Sequence, residues 1–493
     1  MLRELALART SGSWLAVTRN EARRVSMKGE PVSRLLLVSA DGHAVMPEAL
    51  WAQYLEPEFH EHLPRLSDEN RRFTGAMLPM NDYDLMYQDV LEGSHYDVFD
   101  QENHYRSGKW AGAWDLDIRL AEMDREGVAS EFVFNGYYRA TDLFFNVSNT
   151  VYPHDVVAAG VRAHNRWLLD TFGPAGDRLL LVGAVGRCLD MDETVRELNW
   201  IADQGFVGTY APGFSGHPDL PPLYDEHWEP AWQVCADRGL TVVVHGGYGM
   251  EPGGSFDALT GIFESTHAEG GTDRDAITKL RTTFNDSFFV DTRSRAPLWQ
   301  LTMGGVFDRH PDLRVMLTEI RGDWLPATLD RLDALWEEHR EEVPGQRRPS
   351  EYWPSNLLAG LSFMHRSEVE KRHEIGIEKI SFGRDYPHTE GTWPNTREYL
   401  QVLLAGVPEQ EARRILGENL ADFLQLDRAA LAPVVERIGF RPEEVLVAEA
   451  DLDPDLKVHF DARCGLSKPF EGDSRLEVIE PAIAADLARV GGR

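Results

Sequence analysis

Cysteine is nearly absent from this chain, with three residues in 493, at Cys188, Cys235 and Cys464. Scattered this widely, they supply neither a disulfide framework nor a thiolate zinc site, and a reducing cytoplasm is the expected compartment. Long apolar runs are missing too. Nothing approaches the roughly 18 consecutive apolar residues of a membrane span, so no membrane partner is expected. The first thirty residues carry several arginines but no continuous apolar core, and they do not read as a secretory signal; Met27 is an alternative start. Positive charge is scarce: 50 Lys and Arg stand against 81 Asp and Glu, a formal net charge of −31. Phosphate binding needs a basic surface, which excludes nucleic acid as a partner, and the acidity reads as solubility. No Gly-x-Ser-x-Gly elbow, phosphate-cradling Gly-rich loop, internal repeat or low-complexity tract is present.

What is there is the composition of a soluble globular chain, 42% hydrophobic and 27% charged. Length alone suggests about three domains, but a barrel with insertions can hold more than about 400 residues in one. From Leu35 onward, β-rich apolar runs alternate with helical patterns, the mark of βα units and a parallel sheet. Eight strands are predicted: Leu35–Ala40, Glu131–Asn135, Arg178–Ala184, Phe206–Tyr210, Thr241–His245, Arg314–Glu319, Leu361–His365 and Lys379–Asp385. Helices are expected over Arg119–Glu126, Val156–Phe172, Met191–Gln204, Trp228–Arg238, Ala296–Arg309 and Leu325–Arg340. A closing pair is expected over Thr396–Ala405 and Glu409–Leu424. Eight such units favour an α/β fold of the (β/α)8, or TIM-barrel, type, whose chemistry sits at the strand carboxyl ends.

Three excursions break the rhythm after strands 1, 4 and 5, at 46–112, 213–227 and 246–279. They leave from strand carboxyl ends and read as lid and pocket segments. Residues 1–34 form an N-terminal extension, 35–425 the barrel and 426–493 an acidic C-terminal extension. That extension is expected to pack on the barrel or reach a neighbouring subunit, with a disordered tail as the alternative, and a homodimer is left open.

Three apolar runs each deliver a metal-capable side chain at their end. The first, Leu35 to Ala40, is followed by Asp41-Gly42-His43, the second runs through Val244 into His245, and the third ends in Gly383-Arg384-Asp385. As parallel strands of one barrel, they bring Asp41, His43, His245 and Asp385 to one mouth. Two imidazoles and two carboxylates suit zinc first and manganese second. No Lys, Glu or Cys ends strand four to bridge another ion, so one divalent metal per chain is expected. Such a metal lowers the pKa of a water to about 7, with Asp385 placed to take its proton. Glu319, at the end of strand six, faces the same mouth as a candidate catalytic group, alongside His388. Tyr210, Arg321, Trp324 and Glu390 are candidate substrate-binding residues, and Trp110, Trp114, Tyr137, Tyr138 and Trp393 add aromatic surface. His310, before strand six, reads as structural. His60, His62, His95 and His104 read as surface residues.

With these pieces assembled, the chain resembles the amidohydrolase-2 family, the branch that includes aminocarboxymuconate-semialdehyde decarboxylase and the resorcylate decarboxylases. The matching blocks begin at Val38-Ser39-Ala40-Asp41-Gly42-His43 and include Arg119 to Val128, His245-Gly246-Gly247 and Gly304 to Arg314. They end with Gly383-Arg384-Asp385-Tyr386-Pro387-His388-Thr389-Glu390 and Gly417-Glu418-Asn419-Leu420. The resemblance implies a (β/α)8 barrel with one divalent metal on Asp41, His43, His245 and Asp385. It also implies either hydrolysis of amide-like or ester bonds or nonoxidative decarboxylation of aromatic or muconate acids. The resembled decarboxylases carry a histidine at the end of strand six, where this chain has Glu319, a poorer proton donor unless its pKa is raised. Met46 likewise stands where larger members often have a glutamate. The reading placed first is therefore a metal-dependent hydrolase acting on a small organic amide, amidine or ester, with the decarboxylase second and a non-catalytic scaffold third.

Overall fold

The structure is a computed structural model, and it describes residues 34–76, 81–87, 90–136, 152–212, 220–246, 295–362, 364–465 and 476–491. Residues 213–219 and 247–279 of the predicted pocket loops lie outside this set, as do Tyr137 and Tyr138.

Among the described residues, nine parallel strands carry the core: β1 Leu37–Ser39, β2 His43–Ala44, β3 Val128–Asn135, β4 Leu179–Gly183, β5 Gly208–Tyr210, β6 Thr241–Val244, β7 Arg314–Thr318, β8 Leu357–Ser362 and β9 Ile380–Gly383. Eight of them follow one another in the order β1-β3-β4-β5-β6-β7-β8-β9, while the two-residue β2 adds to the end of β3. The ring closes at its carboxyl end, where Ala40 N donates to Phe382 O at 2.9 Å, and His43 N donates to Tyr386 O at 2.6 Å. Helices alternate with the strands, and the fold is the (β/α)8 barrel. Strand interiors such as Val242, Val243, Val244, Met316, Leu317 and Leu358 are buried on both faces, as a helix-jacketed parallel sheet requires.

Local chemistry sets the helix ends. Asp115 accepts from Ile118 N at the start of Leu116–Arg125, and Asp190 accepts from Glu193 N at the start of Met191–Asp203. Two of the strand and helix expectations need correction. The seventh strand lies at Leu357–Ser362 rather than Leu361–His365. Its Leu-Leu-Ala-Gly start has weak strand propensity and hides the period. The barrel interior nonetheless needs a small residue there, because a Cβ on Gly360 would meet Thr318 Oγ1 at 2.7 Å. The helix expected over Ala296–Arg309 is two helices, Ala296–Met303 and Val306–Arg309, broken at Gly305 with φ 69°.

The C-terminal extension returns to the barrel. Leu35 N donates to Phe440 O at 2.8 Å, and Trp299 Nε1 donates to Asp486 Oδ2 at 2.9 Å. Helix Pro454–Gly465 packs on the first excursion, where His459 stacks on Phe99 at 4.8 Å between ring centroids. His95, expected at the surface, is fully buried in this contact, its Nδ1 3.2 Å from His459 Nδ1. Its excursion is covered by a segment more than 350 residues away (|i−j| = 364), a contact that local sequence does not signal. His310 is buried and bonded to Glu229 Oε2 at 2.8 Å, on the face opposite the strand carboxyl ends. Among the described residues, no helix is long and apolar enough to cross a membrane.

Candidate metal centre

Strand ends deliver the ligand-type side chains. Asp41 and His43 flank Gly42 beyond β1, His245 follows β6 and Asp385 follows β9. All four side chains are buried. His43 Nε2 lies 3.4 Å from Asp41 Oδ1 and 3.1 Å from Asp385 Oδ1, and His245 Nε2 lies 3.4 Å from Asp41 Oδ1. The far nitrogens are tied down: His43 Nδ1 is 3.2 Å from Asn135 O, and His245 Nδ1 is 3.2 Å from both Gly246 O and Glu319 Oε2. These acceptors put the proton on Nδ1 in the neutral rings and leave each Nε2 lone pair aimed inward, the usual arrangement of metal-ligating histidine. Asp41 Oδ1, His43 Nε2, His245 Nε2 and both Asp385 oxygens are buried without a hydrogen-bond partner. Buried polar atoms left this way are costly, and a divalent cation at their meeting point satisfies them together. The donor set suits zinc or manganese.

Acidic groups crowd the same mouth. Ligand oxygens of Glu319, Asp385 and Glu390 lie within 4.8 Å of one another, as do ligand atoms of His43, Asp385 and His388. Burial, reinforced by Asp41, Glu390 and Glu131, pushes the Asp385 carboxyl well above the usual carboxylate range. Burial also pushes Glu319 well above it; His245 opposes this, while Asp385, Asp41 and Glu390 add to it. Asp41 goes the other way: burial raises it, but His245 and His43 outweigh burial and hold it below the range. Burial and the neighbouring His43 lower His388. Three carboxyl groups this close in a dry pocket cannot all ionise unless a cation joins them. Glu319 and Asp385 both hold left-handed backbone, with φ 51° and 54°, a strain of roughly 1–3 kcal/mol each that clusters at functional sites.

The other predicted residues divide. Glu390 stands within the acidic group, 3.5 Å from His388 Nδ1, and the His388 ring is 4.2 Å from that of His43. Tyr210 packs beside His245 at 6.4 Å between centroids, and its hydroxyl receives Asn135 N at 3.2 Å. Arg321 pairs with Asp323 at 3.1 Å, and Trp324 lies under the Arg295 guanidinium at 4.6 Å.

Sequence reasoning missed the support beneath the ligands. Arg119, Glu131 and Arg384 are wholly buried. Arg119 donates to Glu131 Oε2 through Nε at 3.0 Å and Nη2 at 2.6 Å, and it also holds the His43 carbonyl. Arg384 donates to both oxygens of Glu131. A Cβ on Gly42 would sit 2.7 Å from Glu131 Cδ, so only glycine lets the carboxylate pass between the two ligands. Ser362 Oγ donates to Asp41 Oδ2. Glu131 begins the predicted second strand, and a charge within an otherwise apolar parallel strand is the available signal that it has buried partners.

Comparison with known proteins agrees with this architecture. The profile of the amidohydrolase family matches residues 58–426. Over 133 residues the chain is 29% identical to a gamma-resorcylate decarboxylase from Rhodococcus jostii (strain RHA1), a stretch that covers 26% of this chain and 39% of that relative. The chain thus aligns with well under two thirds of that relative's length. An amidohydrolase from Mycobacterium avium subsp. paratuberculosis K-10 superposes with a TM-score of 0.54 at 18% identity, covering 79% of this chain and 99% of that one. A 5-carboxyvanillate decarboxylase from Novosphingobium aromaticivorans DSM 12444, complexed with manganese and 4-hydroxy-3-methoxy-5-nitrobenzoic acid, superposes with a TM-score of 0.52 at 17% identity, covering 81% and 100%. The chain belongs to the amidohydrolase family.

Proposed function

We propose that this protein is a metal-dependent nonoxidative decarboxylase of an aromatic or muconate-type carboxylic acid. The observation that carries the reading is the convergence of partnerless atoms from Asp41, His43, His245 and Asp385. The sequence similarity to a resorcylate decarboxylase supports the reading and moves it ahead of hydrolysis. These four residues would hold the ion, with manganese and zinc both fitting the donor set. When bound, the cation supplies electrostatic attraction for a substrate carboxylate and its neighbouring oxygen.

The chain's own residues supply the proton. Glu319 stands where the resembled decarboxylases carry histidine, and its burial in an acid-rich mouth, opposed by His245, raises the carboxyl pKa above the usual range. A raised pKa makes glutamate a better proton donor than it is in water. Glu319 gives its proton to the carbon bearing the substrate carboxylate, the carbon–carbon bond breaks, and carbon dioxide leaves. Solvent returns the proton, so one carboxylate and one proton become one carbon–hydrogen bond and carbon dioxide. His388, whose pKa burial and His43 lower against the pull of Glu390, would hydrogen-bond the substrate, with Phe134 and Tyr210 as an apolar wall next to His245.

A panel of hydroxybenzoates and unsaturated dicarboxylic acids, offered to protein reconstituted with manganese or zinc, tests this by carbon dioxide release. Turnover is expected on at least one acid, falling about 10²–10⁴-fold in Glu319→Gln with metal content retained. Release of amine or acid from amides or esters without carbon dioxide would support the hydrolase instead. Asp385 favours that second reading, because both its oxygens lack hydrogen-bond partners and suit a base acting on water. A wild-type protein that holds neither ion would leave only the scaffold.

A further inference from the structure

Helix Pro454–Gly465 lies outside the family-matched residues, yet it places Arg463 against the loop that follows β9. Arg463 is fully buried. Its Nε donates to Thr389 O at 3.1 Å and its Nη2 to Trp393 O at 2.8 Å. Tyr83, from the first excursion, donates to the same Thr389 oxygen at 3.0 Å. The guanidinium also lies over the Tyr83 and Phe99 rings, at 5.5 and 5.8 Å. Among the described residues, no carboxylate pairs with it. A buried arginine without an acid is unfavourable unless its charge or its fork of donors is used.

The loop it holds is the one that wraps Asp385. His388 N donates to Asp385 O at 2.9 Å, and Thr392 N donates to Arg384 O at 2.9 Å. His388 and Glu390 project from this turn into the mouth, and the Thr389 carbonyl lies between them, so fixing the Thr389 and Trp393 carbonyls restrains the segment that carries them. The helix bearing Arg463 is itself anchored through His459 on Phe99 and Phe460 against Tyr399 at 5.3 Å.

We infer that Arg463 is a positioning residue: through two loop carbonyls, the C-terminal extension completes the metal centre and holds His388 and Glu390 in place. This inference rests on the metal-site reading above, but part of its test does not. The amide hydrogens of residues 388–393 are followed by exchange in metal-free full-length protein, and manganese affinity is measured by calorimetry. Arg463→Gln is expected to speed exchange in that segment at least tenfold and to weaken manganese binding roughly 10–100-fold, the range for outer-shell partners of a metal site. Exchange in the remote helix Leu325–Glu338 should stay unchanged. Arg463→Lys, which restores the charge and one donor, should recover part of both losses.

A folded Arg463→Gln protein with wild-type exchange in this segment and wild-type manganese affinity would overturn the inference. If that variant does not fold, Tyr83→Phe, which removes one hydroxyl from the same carbonyl, decides. Faster exchange in residues 388–393 is then expected, and unchanged exchange refutes the proposal. A wild-type chain that binds no metal would instead strike the functional reading and leave the loop measurement standing.

Discussion

Titrating the metal-free protein with manganese or zinc across about pH 6–8 probes the site through its protons. Coordination needs an unprotonated Asp385, yet burial and the adjacent Asp41, Glu390 and Glu131 carboxyls push that group well above the usual range. Burial lowers the His43 and His245 rings, but Asp41 and Glu319 outweigh it and raise both. An ion therefore displaces the proton of Asp385 wherever that carboxyl still holds one, and more where a ring is charged. One displaced proton changes affinity tenfold per pH unit, about 1.4 kcal/mol. Binding should therefore tighten as pH rises through this pH range, by up to about tenfold per pH unit for each proton displaced. Calorimetry in two buffers of different ionisation enthalpy counts the protons directly. The same shifts fix the stability of the metal-free chain. A carboxyl with a raised folded pKa stabilises below its unfolded value, near pH 4, and that stability is lost as pH rises through the folded value. Asp385 and Glu319 thus make the metal-free protein less stable from about pH 4 upward, and bound metal should offset the loss. Asp41, held low, contributes above its unfolded value, and that contribution is lost only as pH falls through its folded one. An affinity independent of pH with no proton released would refute the placement of Asp385 among the ligands.

Three further outcomes follow from the packing. Glu131→Gln leaves two buried guanidinium groups without their shared carboxylate, and unfolding should be easier by about 3–5 kcal/mol, read from denaturant or thermal transitions. Gly42→Ala pushes a methyl into that carboxylate and should cost about 1–3 kcal/mol with weakened metal retention on elemental analysis. His245→Ala and Asp385→Asn should each fold and lose the ion, which is expected at about one per wild-type chain.

The barrel was legible in the sequence because its signal is local. Each βα unit carries its own apolar run and its own amphipathic helix, and the carboxyl-end rule then places Asp41, His43, His245, Glu319 and Asp385 at one mouth. Where the local signal failed, the cause was local too. The Leu-Leu-Ala-Gly start of β8 has weak propensity because the interior demands a small residue, and the break at Gly305 looks like ordinary helix.

The sequence by itself thus determined the fold class and most of the strand positions, which depend on residue type and short-range period. Only the tertiary structure decided which atoms lack partners and which carboxyls are driven to hold protons. Burial and charge spacing are properties of residues brought together from across the chain, and no local pattern encodes them. The same is true of the Arg119–Glu131–Arg384 support and of Arg463 on the Thr389 carbonyl, a contact across 74 residues. Such charges look like ordinary surface residues until the packing that removes their water is known.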